Sequence, residues 1–248
     1  MYQRERLNNI IEILRQNNYV TVKYLVKALS YSTATINRDL VLLEAKGIIT
    51  RTYGGVELNK SNHIPPELRY HKMHKEKNRI AREAAKHINN GDTIFIDGST
   101  TCQCMSEYIV SKKDITVITN NISLVSFLAL HSVKTICLGG TVTDAPYILS
   151  GIEAVETASR YKADKMFFST NSFDDNCLIG TNSDNYYLLH KTMALQSDKV
   201  YFLADHSKHN RPSKRVLFDF SDMHCIISDY IFSKHIKESY PNTFFDMV

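Results

Sequence analysis

The sequence predicts a small α+β domain followed by a larger α/β domain with a mainly parallel sheet. Over residues 4–46, apolar side chains recur with the period of an α-helix, and over residues 48–58 the pattern changes to two β-prone segments around a Gly-Gly pair. From residue 89 onward, short apolar segments alternate with helical ones, which is typical of parallel strands joined by helices. Two different packing arrangements are therefore expected in one chain.

The α+β domain should begin with three short helices. The first two are predicted over residues 4–17 and 22–29, where apolar residues repeat at i, i+3, i+4 and i+7. The third is predicted from Ser32, a good N-cap, to about Lys46, and Gly47 is a natural residue to end it.

The third helix has an apolar and a polar side. Ile36, Leu40 and Leu43 are spaced at i, i+4 and i+7, so they should share one buried stripe. Short polar residues at the N-terminus, followed by Asn and Arg, suit a helix that lies in a DNA major groove. An ordinary amphipathic surface helix has the same pattern, so this helix alone leaves both interpretations open. The residues expected to face DNA are Ser32, Thr33, Thr35, Asn37 and Arg38.

A hairpin with Gly54-Gly55 as its turn is predicted after the third helix. Three helices followed by a hairpin indicate a winged helix-turn-helix domain. Its wing would place Arg51, Tyr53 and Gly54 beside the DNA phosphate backbone. A protein-binding module would have the same elements.

The net charge of +4 is unevenly distributed. Residues 1–90 carry 16 Lys and Arg against 8 Asp and Glu, a net charge of +8, whereas residues 91–248 carry 14 against 18, a net charge of −4. A basic first segment on an acidic remainder indicates that the first domain meets a polyanion, which favours DNA over a protein partner.

Composition indicates which broad class of protein this is: globular, membrane-bound or secreted. The 248 residues are 43% apolar and 23% charged, as in an ordinary globular protein. The sequence has no apolar run of about 18 residues, and its first residues are charged and amphipathic. We therefore expect a cytoplasmic protein without a membrane span or signal peptide. The five cysteines are irregularly spaced, so reduced thiols are expected, with no metal and no cofactor.

A linker is predicted between the two domains. Residues 59–74 contain Pro65-Pro66 and lack an apolar period, which places the first domain at residues 1–58 and the second at residues 75–248. A charged helix is predicted from about Glu67. It is either a connector between the domains or a helix whose basic side chains, Lys77 among them, lie in solvent. Its expected inner side consists of Ile80, Ala84 and Ala85.

The second domain carries polar segments where ligands bind in parallel sheets, just beyond the carboxyl ends of the strands. Four such segments follow predicted strands, at residues 97–101, 119–121, 139–141 and 205–208. Residues 225–228 are predicted as the last strand of the sheet. The candidate ligand residues are Asp97, Gly98, Ser99, Thr100, Thr101, Thr119, Asn120, Gly139, Gly140, Asp205 and Lys208.

These residue types suit a small phosphorylated polyol. Residues 98–101 offer backbone N–H groups and three hydroxyls at a helix N-terminus, which suit a phosphate. Lys208 would add a positive charge, and Asp97 or Asp205 would accept hydrogen bonds from sugar hydroxyls. Each segment also has an ordinary interpretation, as an N-cap, a tight turn or a surface ion pair.

Two alternatives to a ligand-controlled DNA-binding protein are open. One is an aldose–ketose isomerase acting on sugar phosphates, with Asp97 or Asp205 as general base and Lys208 as electrophile. The basic helical domain argues against it, because an isomerase has no use for one. The other is a DNA-binding regulator whose ligand pocket is degenerate.

In its motifs the chain resembles the DeoR family of bacterial sugar-catabolism regulators, from about residue 4 to about residue 229. Residues 35–40 resemble the family's recognition helix, and residues 51–55 resemble its wing. The second domain is similar at residues 97–101, 119–120, 139–140, 149–151, 205–208 and 227–229.

The resemblance implies a fold like ribose-5-phosphate isomerase from about residue 75. It also implies a repressor of a carbohydrate-utilisation operon, acting as a homo-oligomer on double-stranded operator DNA, with no membrane partner and no enzyme activity. A phosphorylated sugar or polyol would release it from DNA. By that carry-over, residues 98–101 would hold the phosphate, and Asp97, Asn120 and Lys208 would shape the pocket.

Three positions depart from the family pattern. Asn37 stands where the family usually has Arg, which favours adenine readout. Asn171-Ser172-Phe173 replaces a glycine-rich loop, and His209-Asn210 replaces an aromatic residue and a glycine. The last two departures alter the expected pocket shape.

Overall fold

A computed structural model describes residues 3–17, 19–59, 73–142 and 147–248. The chain divides into two compact units, Met1–Lys72 and Met73–Val248. Most of the predicted linker, residues 60–72, lies outside the described residues, as does the predicted start of the charged helix near Glu67.

The first unit is a winged helix-turn-helix, as predicted. Its helices are α1 (Gln3–Asn17), α2 (Val22–Leu29) and α3 (Thr33–Ala45), and its strands are β1 (Tyr19–Thr21), β2 (Ile49–Thr52) and β3 (Gly55–Leu58). The strands pair antiparallel in the order β1-β3-β2. Strand β1 was not predicted, because three residues are too short for an alternating pattern to be recognised.

The core of the first unit holds α3 in place. Ile36, Leu40 and Leu43 are completely buried, as predicted, against apolar residues of α1 and the hairpin. Asp39 is also buried, and its carboxylate accepts hydrogen bonds from the Arg6 guanidinium. The bonds to Asp39 raise the pKa of Arg6. This ion pair fixes α3 on α1, so the orientation of the polar side of α3 is built into the core.

The hairpin turn lies one residue earlier than predicted. Thr52 pairs with Gly55, so the two-residue turn is Tyr53-Gly54, with Gly54 at φ +86°. A turn of this length requires positive φ, which Gly54 supplies. Gly55 is a strand residue. Glycine is required there for a steric reason, because a Cβ at that position would overlap the ring of Tyr19.

The second unit contains a seven-stranded sheet in which every pairing is parallel. Its strands are β4 (Thr93–Ile96), β5 (Thr116–Thr119), β6 (Lys134–Cys137), β9 (Ala163–Phe168), β12 (Ser197–Ala204), β14 (Cys225–Ser228) and β15 (Phe244–Met247). They lie in the order β15-β14-β12-β9-β4-β5-β6. The predicted parallel sheet is confirmed, but the prediction that residues 225–228 form its last strand is wrong. Strand β15 adds one more at the edge, and its half-exposed residues lack the apolar run that marks a central strand.

Seven α-helices and two small antiparallel sheets complete the described part of this unit. The helices are α4 (His74–Ala84), α5 (Thr100–Gln103), α6 (Ser106–Ile109), α7 (Ile122–Leu130), α8 (Ile152–Ser159), α9 (Asp184–Leu195) and α10 (Lys234–Ser239). One small sheet pairs β7 (Thr141–Val142) with β8 (Leu149–Ser150), and the other orders β10 (Ser172–Phe173), β11 (Leu178–Thr181) and β13 (Arg215–Asp219) as β10-β11-β13. The small sheets were not predicted, because most of these strands are too short to show a period.

The sheet changes direction at β4. Strand β5 follows it on one side, and β9 pairs with it on the other, so the chain winds away from β4 both ways. A crevice forms beyond the carboxyl ends of two strands at such a switch point, and this is where open parallel sheets bind ligands. The residues that follow β4 and β9 are Asp97 and Ser169.

Candidate ligand site and nucleic-acid interface

Asp97 joins three elements around the crevice. Its Oδ2 accepts a hydrogen bond from the backbone N–H of Ser169, 3.2 Å away, and lies 3.2 Å from Nε2 of His190 on α9. Its Oδ1 accepts hydrogen bonds from the backbone N–H and the hydroxyl of Ser99, at 3.1 and 2.6 Å. Asp97 therefore fixes the loops after β4 and β9 relative to α9.

The environment of Asp97 keeps it ionised. Burial raises its pKa, but the hydrogen bond and charge of His190 and the hydrogen bond from Ser99 together lower it by a larger amount. The pKa is therefore below its usual value. The carboxylate is 3% exposed, and protein donors occupy both of its oxygens. Such a group organises a site, whereas a general base needs an accessible oxygen and a pKa near the working pH.

Two lysines converge on the loop that follows Asp97. Nζ of Lys77 donates to the Thr100 hydroxyl at 3.1 Å, and Nζ of Lys208 donates to the Thr101 hydroxyl at 3.2 Å. Nζ of Lys208 also donates to Oγ of Ser169 at 2.5 Å. The predicted residues Thr100, Thr101 and Lys208 are thus brought together, and the positive charge beside them is twice that expected.

Lys77 is a candidate site residue that the sequence analysis missed. It is 5% exposed, which contradicts a solvated helix face as the explanation of this lysine. A signal was present: positions 77, 80, 81 and 84 follow the i, i+3, i+4, i+7 spacing of one helix face, and all four are buried. The lysine at the start of that face points into the protein.

Asp205 is an internal carboxylate, not half of a surface ion pair. It is 1% exposed, and its Oδ1 accepts a hydrogen bond from the backbone N–H of Ser207 at 3.1 Å. Burial raises its pKa, but the charge of Lys208 and the hydrogen bonds from Ser207 lower it by a larger amount, so the pKa is below its usual value. Its role is to fix the turn that carries Lys208.

Two polar atoms of the crevice have no hydrogen-bond partner among the described residues. They are Oδ1 of Asn120 and Nδ1 of His190, both buried. The other end of the Asn120 amide donates to the Leu149 carbonyl at 2.8 Å. A Cβ on Gly98 would lie 3.3 Å from the Asn120 oxygen and 2.7 Å from Cγ2 of Ile148, so only glycine lets the Ile148 side chain pack this closely. A buried polar atom without a hydrogen bond destabilises the folded state, which indicates that a ligand or a water molecule forms hydrogen bonds with these two atoms.

Other predicted ligand residues have structural contacts. The Thr119 hydroxyl accepts a hydrogen bond from the Asn121 backbone N–H at 3.1 Å. Gly139 and Gly140 follow β6 with φ of +74° and +101°, and a Cβ on Gly140 would overlap the Ser150 carbonyl. Their part in ligand binding stays a prediction.

The residues that depart from the expected loop pattern pack against one another. Phe173 is completely buried in the main core. His209 Nε2 and Asn210 Nδ2 each lie 2.8 Å from a carboxylate oxygen of Asp175, and the His209 ring stacks on Tyr230 at 4.2 Å. These side chains form a cluster of their own, with ordered contacts.

In the first unit, the polar side of α3 and the wing present most of the predicted DNA residues. Oγ of Ser32 caps α3 by accepting from the Thr35 backbone N–H at 3.2 Å. Thr33, Arg38 and Tyr53 are exposed, and Tyr53 and Gly54 form the tip of the wing.

Asn37 and Arg51 are linked to each other. Nη2 of Arg51 donates to Oδ1 of Asn37 at 2.8 Å, and Nδ2 of Asn37 donates to the Thr33 carbonyl at 3.0 Å. The backbone N–H of Arg51 also donates to Glu44 Oε1 at 3.3 Å. These bonds tie the wing to α3, an arrangement that the sequence analysis did not foresee.

Two family models match the chain. The model of the DeoR-like helix-turn-helix domain matches residues 6–62, and the model of the DeoR C terminal sensor domain matches residues 72–230. The chain belongs to the DeoR family.

Its DeoR relatives are similar along almost their whole length. The chain is 32% identical over 232 residues to the HTH-type transcriptional repressor GlcR of Bacillus subtilis (strain 168), covering 92% of this chain and 89% of that one. It is 27% identical over 236 residues to the lactose phosphotransferase system repressor of Staphylococcus aureus (strain N315), covering 93% of each. Ribose 5 phosphate isomerase A from Neisseria gonorrhoeae is a remote structural likeness, with a TM-score of 0.39 and 15% identity over 54% of this chain and 52% of that one.

Membership of the DeoR family makes the chain a DNA-binding transcriptional regulator with a sensor domain for a small-molecule effector. It is not an enzyme, because its relatives are named transcriptional repressors and regulators, and the isomerase alternative is wrong. Among the described residues, no helix has the length and apolar character needed to cross a bilayer.

Proposed function

We propose that this DeoR-family regulator represses carbohydrate-utilisation genes and leaves its operator when a phosphorylated sugar or polyol binds the crevice beyond β4 and β9. The observation that carries the effector class is the convergence of Lys77 and Lys208 on the hydroxyls of Thr100 and Thr101. Two ammonium groups beside hydroxyl donors suit a phosphate dianion, which forms charge-assisted hydrogen bonds with both.

The rest of the crevice suits the sugar part of such a ligand. Oδ1 of Asn120 would accept a hydrogen bond from a hydroxyl, and Nδ1 of His190 would bond to another, which would complete the two buried atoms that lack partners in the described structure. The relative named for the lactose phosphotransferase system is consistent with a phosphorylated effector.

For DNA binding, α3 would enter the major groove through Thr33 and Arg38, with Ser32 and Thr35 fixing its first turn. The wing would place Tyr53 and Gly54, with Arg51 behind them, on the backbone. A homo-oligomer would present two or more such domains at the spacing of the operator half-sites. The effector would act by favouring an arrangement of the oligomer that does not fit the operator.

The test is operator binding followed by fluorescence anisotropy at fixed salt, using DNA from upstream of this gene and of neighbouring carbohydrate genes. A panel of sugar phosphates is compared with the same sugars without phosphate and with inorganic phosphate. We expect one sugar phosphate to release the DNA and its unphosphorylated sugar to have no effect.

Variants of the two lysines connect the response to the crevice. Lys77→Ala and Lys208→Ala should each need at least tenfold more effector for release while binding operator normally. Lys86→Ala is the matched control, because Lys86 lies in solvent after α4 and pairs with Glu83. Operator binding that no sugar phosphate alters would refute the effector half of the proposal.

A regulator with a degenerate pocket is the second candidate, and the departures at Asn171-Ser172-Phe173 favour it. Thermal unfolding separates the two. An effector at 100 times its dissociation constant stabilises the folded state by about 2.7 kcal/mol. Stabilisation by a sugar phosphate that disappears in Lys208→Ala supports a working pocket, and its absence across the panel supports the degenerate one.

A further inference from the structure

Three metal-ligating side chains meet at the other end of the sheet from the crevice. They are His87, Cys225 and Asp246, and their ligand atoms all lie within 4.8 Å of one another. They form the only group of this kind found in the described residues. Cys225 begins β14, whereas the crevice lies beyond the carboxyl ends of the strands, so this cluster is separate from the proposed effector site.

The fold fixes all three positions. Cys225 pairs with Phe244 in the neighbouring strand, so Asp246, two residues further along β15, lies on the same face of the sheet. His87 ends the short 3-10 turn Ala85–His87 that follows α4, and its ring centroid lies 5.0 Å from that of Tyr201. Tyr201 is the β12 partner of Cys225. Three segments far apart in sequence thus converge through strand register and ring packing.

The donor set and its spacing suit one particular ion. Nε2 of His87 lies 2.7 Å from Oδ2 of Asp246, and the thiol of Cys225 is fully buried beside them. Zinc binds thiolate, imidazole and carboxylate at about 2.0–2.3 Å in a tetrahedron, which places its ligand atoms about 3–4 Å apart. A small movement of the thiol and the His–Asp pair reaches that geometry.

We propose that His87, Cys225 and Asp246 bind one zinc ion, with water as the fourth ligand. The mixed donor set of one sulfur, one nitrogen and one oxygen favours Zn²⁺ over Mg²⁺ or Ca²⁺, which take oxygen ligands. As the sulfur–zinc bond forms, the thiol gives its proton to solvent, so the oxidation state of each atom is unchanged. The His87 and Asp246 side chains are 29% and 33% exposed, which leaves a path for the ion.

The charges around the cluster permit a dication. Glu83 contributes negative charge near Cys225, while Lys165 and Lys199 contribute positive charge near the adjacent residue His224. Lys165 is itself neutralised by its ion pair with Asp92. Bound zinc would join the turn after α4 to β14 and to the edge strand β15. Its effect would be to hold β15 on the sheet, independently of the effector.

The experiment titrates Co²⁺, a spectroscopic substitute for zinc, into metal-free full-length protein. We expect the near-ultraviolet absorption band of a cobalt–thiolate bond, saturating at one equivalent per chain and lost when Zn²⁺ is added. Cys225→Ser should abolish the band. Cys137→Ser is the matched control and should keep it, because Cys137 is exposed and distant in the sheet order.

Two further variants keep the test independent of folding at the buried cysteine. His87→Ala and Asp246→Asn alter partly exposed side chains, and each should weaken Co²⁺ binding at least tenfold with an unchanged circular dichroism spectrum. Zinc should also raise the unfolding temperature of the wild type and not of His87→Ala. No band in the wild type, a band that survives Cys225→Ser, or unchanged affinity in both other variants would overturn the zinc site.

Discussion

Both ends of the Asn37 amide are engaged within the first unit, which changes how this residue is expected to act on DNA. Reading adenine needs both its oxygen and its nitrogen, yet these atoms bond to Arg51 and to the Thr33 carbonyl. Breaking such bonds costs about 1 kcal/mol each. The structure therefore favours Asn37 as a residue that orients Arg51, in place of the base readout that the sequence suggested.

A double-mutant cycle tests this link. Asn37→Ala and Arg51→Ala should each weaken operator binding, and the double variant should be little worse than Arg51→Ala, since Asn37 acts through Arg51. The coupling should be about 1 kcal/mol, as for a hydrogen bond to a charged group at a partly exposed site. Binding is measured by anisotropy on the operator and on single-base variants. Additive losses with a changed base preference would show that Asn37 reads bases directly.

Arg38 is exposed on the polar side of α3, and its contribution should be electrostatic. If it contacts a phosphate, Arg38→Ala lowers affinity for all sequences and reduces the slope of log K against log salt by about 0.9. Binding is measured at several salt concentrations. Arg82→Ala, on the exposed side of α4, is the control and should leave the slope unchanged. An unchanged slope in Arg38→Ala would contradict a phosphate contact.

At the scale of elements, the sequence predicted what periodicity can reveal. Helices α2 and α3 lie within about two residues of their predicted positions, because packing against one core imposes the period. Strands β4, β5 and β12 end where three of the predicted polar segments begin, at residues 97, 119 and 205. Strands of two or three residues have no period to detect. The turn at Tyr53-Gly54 depended on a tertiary contact, of Gly55 with the Tyr19 ring, that a pattern does not contain. The spacing of α4 places Lys77 on its buried face, but it does not reveal the partner of this lysine, the Thr100 hydroxyl.

Gly139 and Gly140, which follow β6, allow the cost of backbone strain to be measured separately from the cost of steric overlap. Both have positive φ, so Gly139→Ala should destabilise the second unit by about 1 kcal/mol through backbone strain alone, because nothing lies within 4 Å of its Cβ position. Gly140→Ala adds overlap with the Ser150 carbonyl of β8 and should cost about 3 kcal/mol. Urea unfolding of the two variants measures the difference. Equal losses would show that β8 moves freely away from β6.

At the scale of the whole molecule, the first unit carries 11 Lys and Arg against 6 Asp and Glu, a net charge of +5, whereas the second carries 19 against 20, a net charge of −1. This distribution agrees with a regulator that binds DNA through its first unit. The nearly neutral second unit nevertheless concentrates positive charge at the crevice, where Lys77 and Lys208 lie near Asp205. Sequence analysis found Asp97, Asp205 and Lys208 from their positions after strands. The structure also shows what the two carboxylates do: Asp97 and Asp205 hold the loops that carry Thr100, Thr101 and Lys208.

The low pKa of Asp97 links this arrangement to the pH dependence of stability. A carboxylate whose pKa is lower when folded than its ordinary value of about 3.9 stabilises the folded state above that value, and this contribution is lost as pH falls through the folded pKa. Asp97→Asn removes the charge that His190, Ser169 and Ser99 bind, so it should destabilise the second unit by about 2 kcal/mol at neutral pH. The difference from wild type should shrink below about pH 3.9, where the wild-type carboxyl is increasingly protonated. Urea unfolding followed by circular dichroism from pH 3 to pH 7 measures it.

Asp175→Asn is the matched control for that experiment. Bonds from Asn210 and His209 lower the pKa of Asp175 too, but this carboxylate is exposed to water, which weakens such interactions. Its variant should follow the wild-type curve closely across the range. A difference between Asp97→Asn and wild type that stays constant with pH would mean that Asp97 stabilises the crevice by its shape and hydrogen bonds, not by its charge. The carboxylate would then be unnecessary for holding the loops around the two lysines.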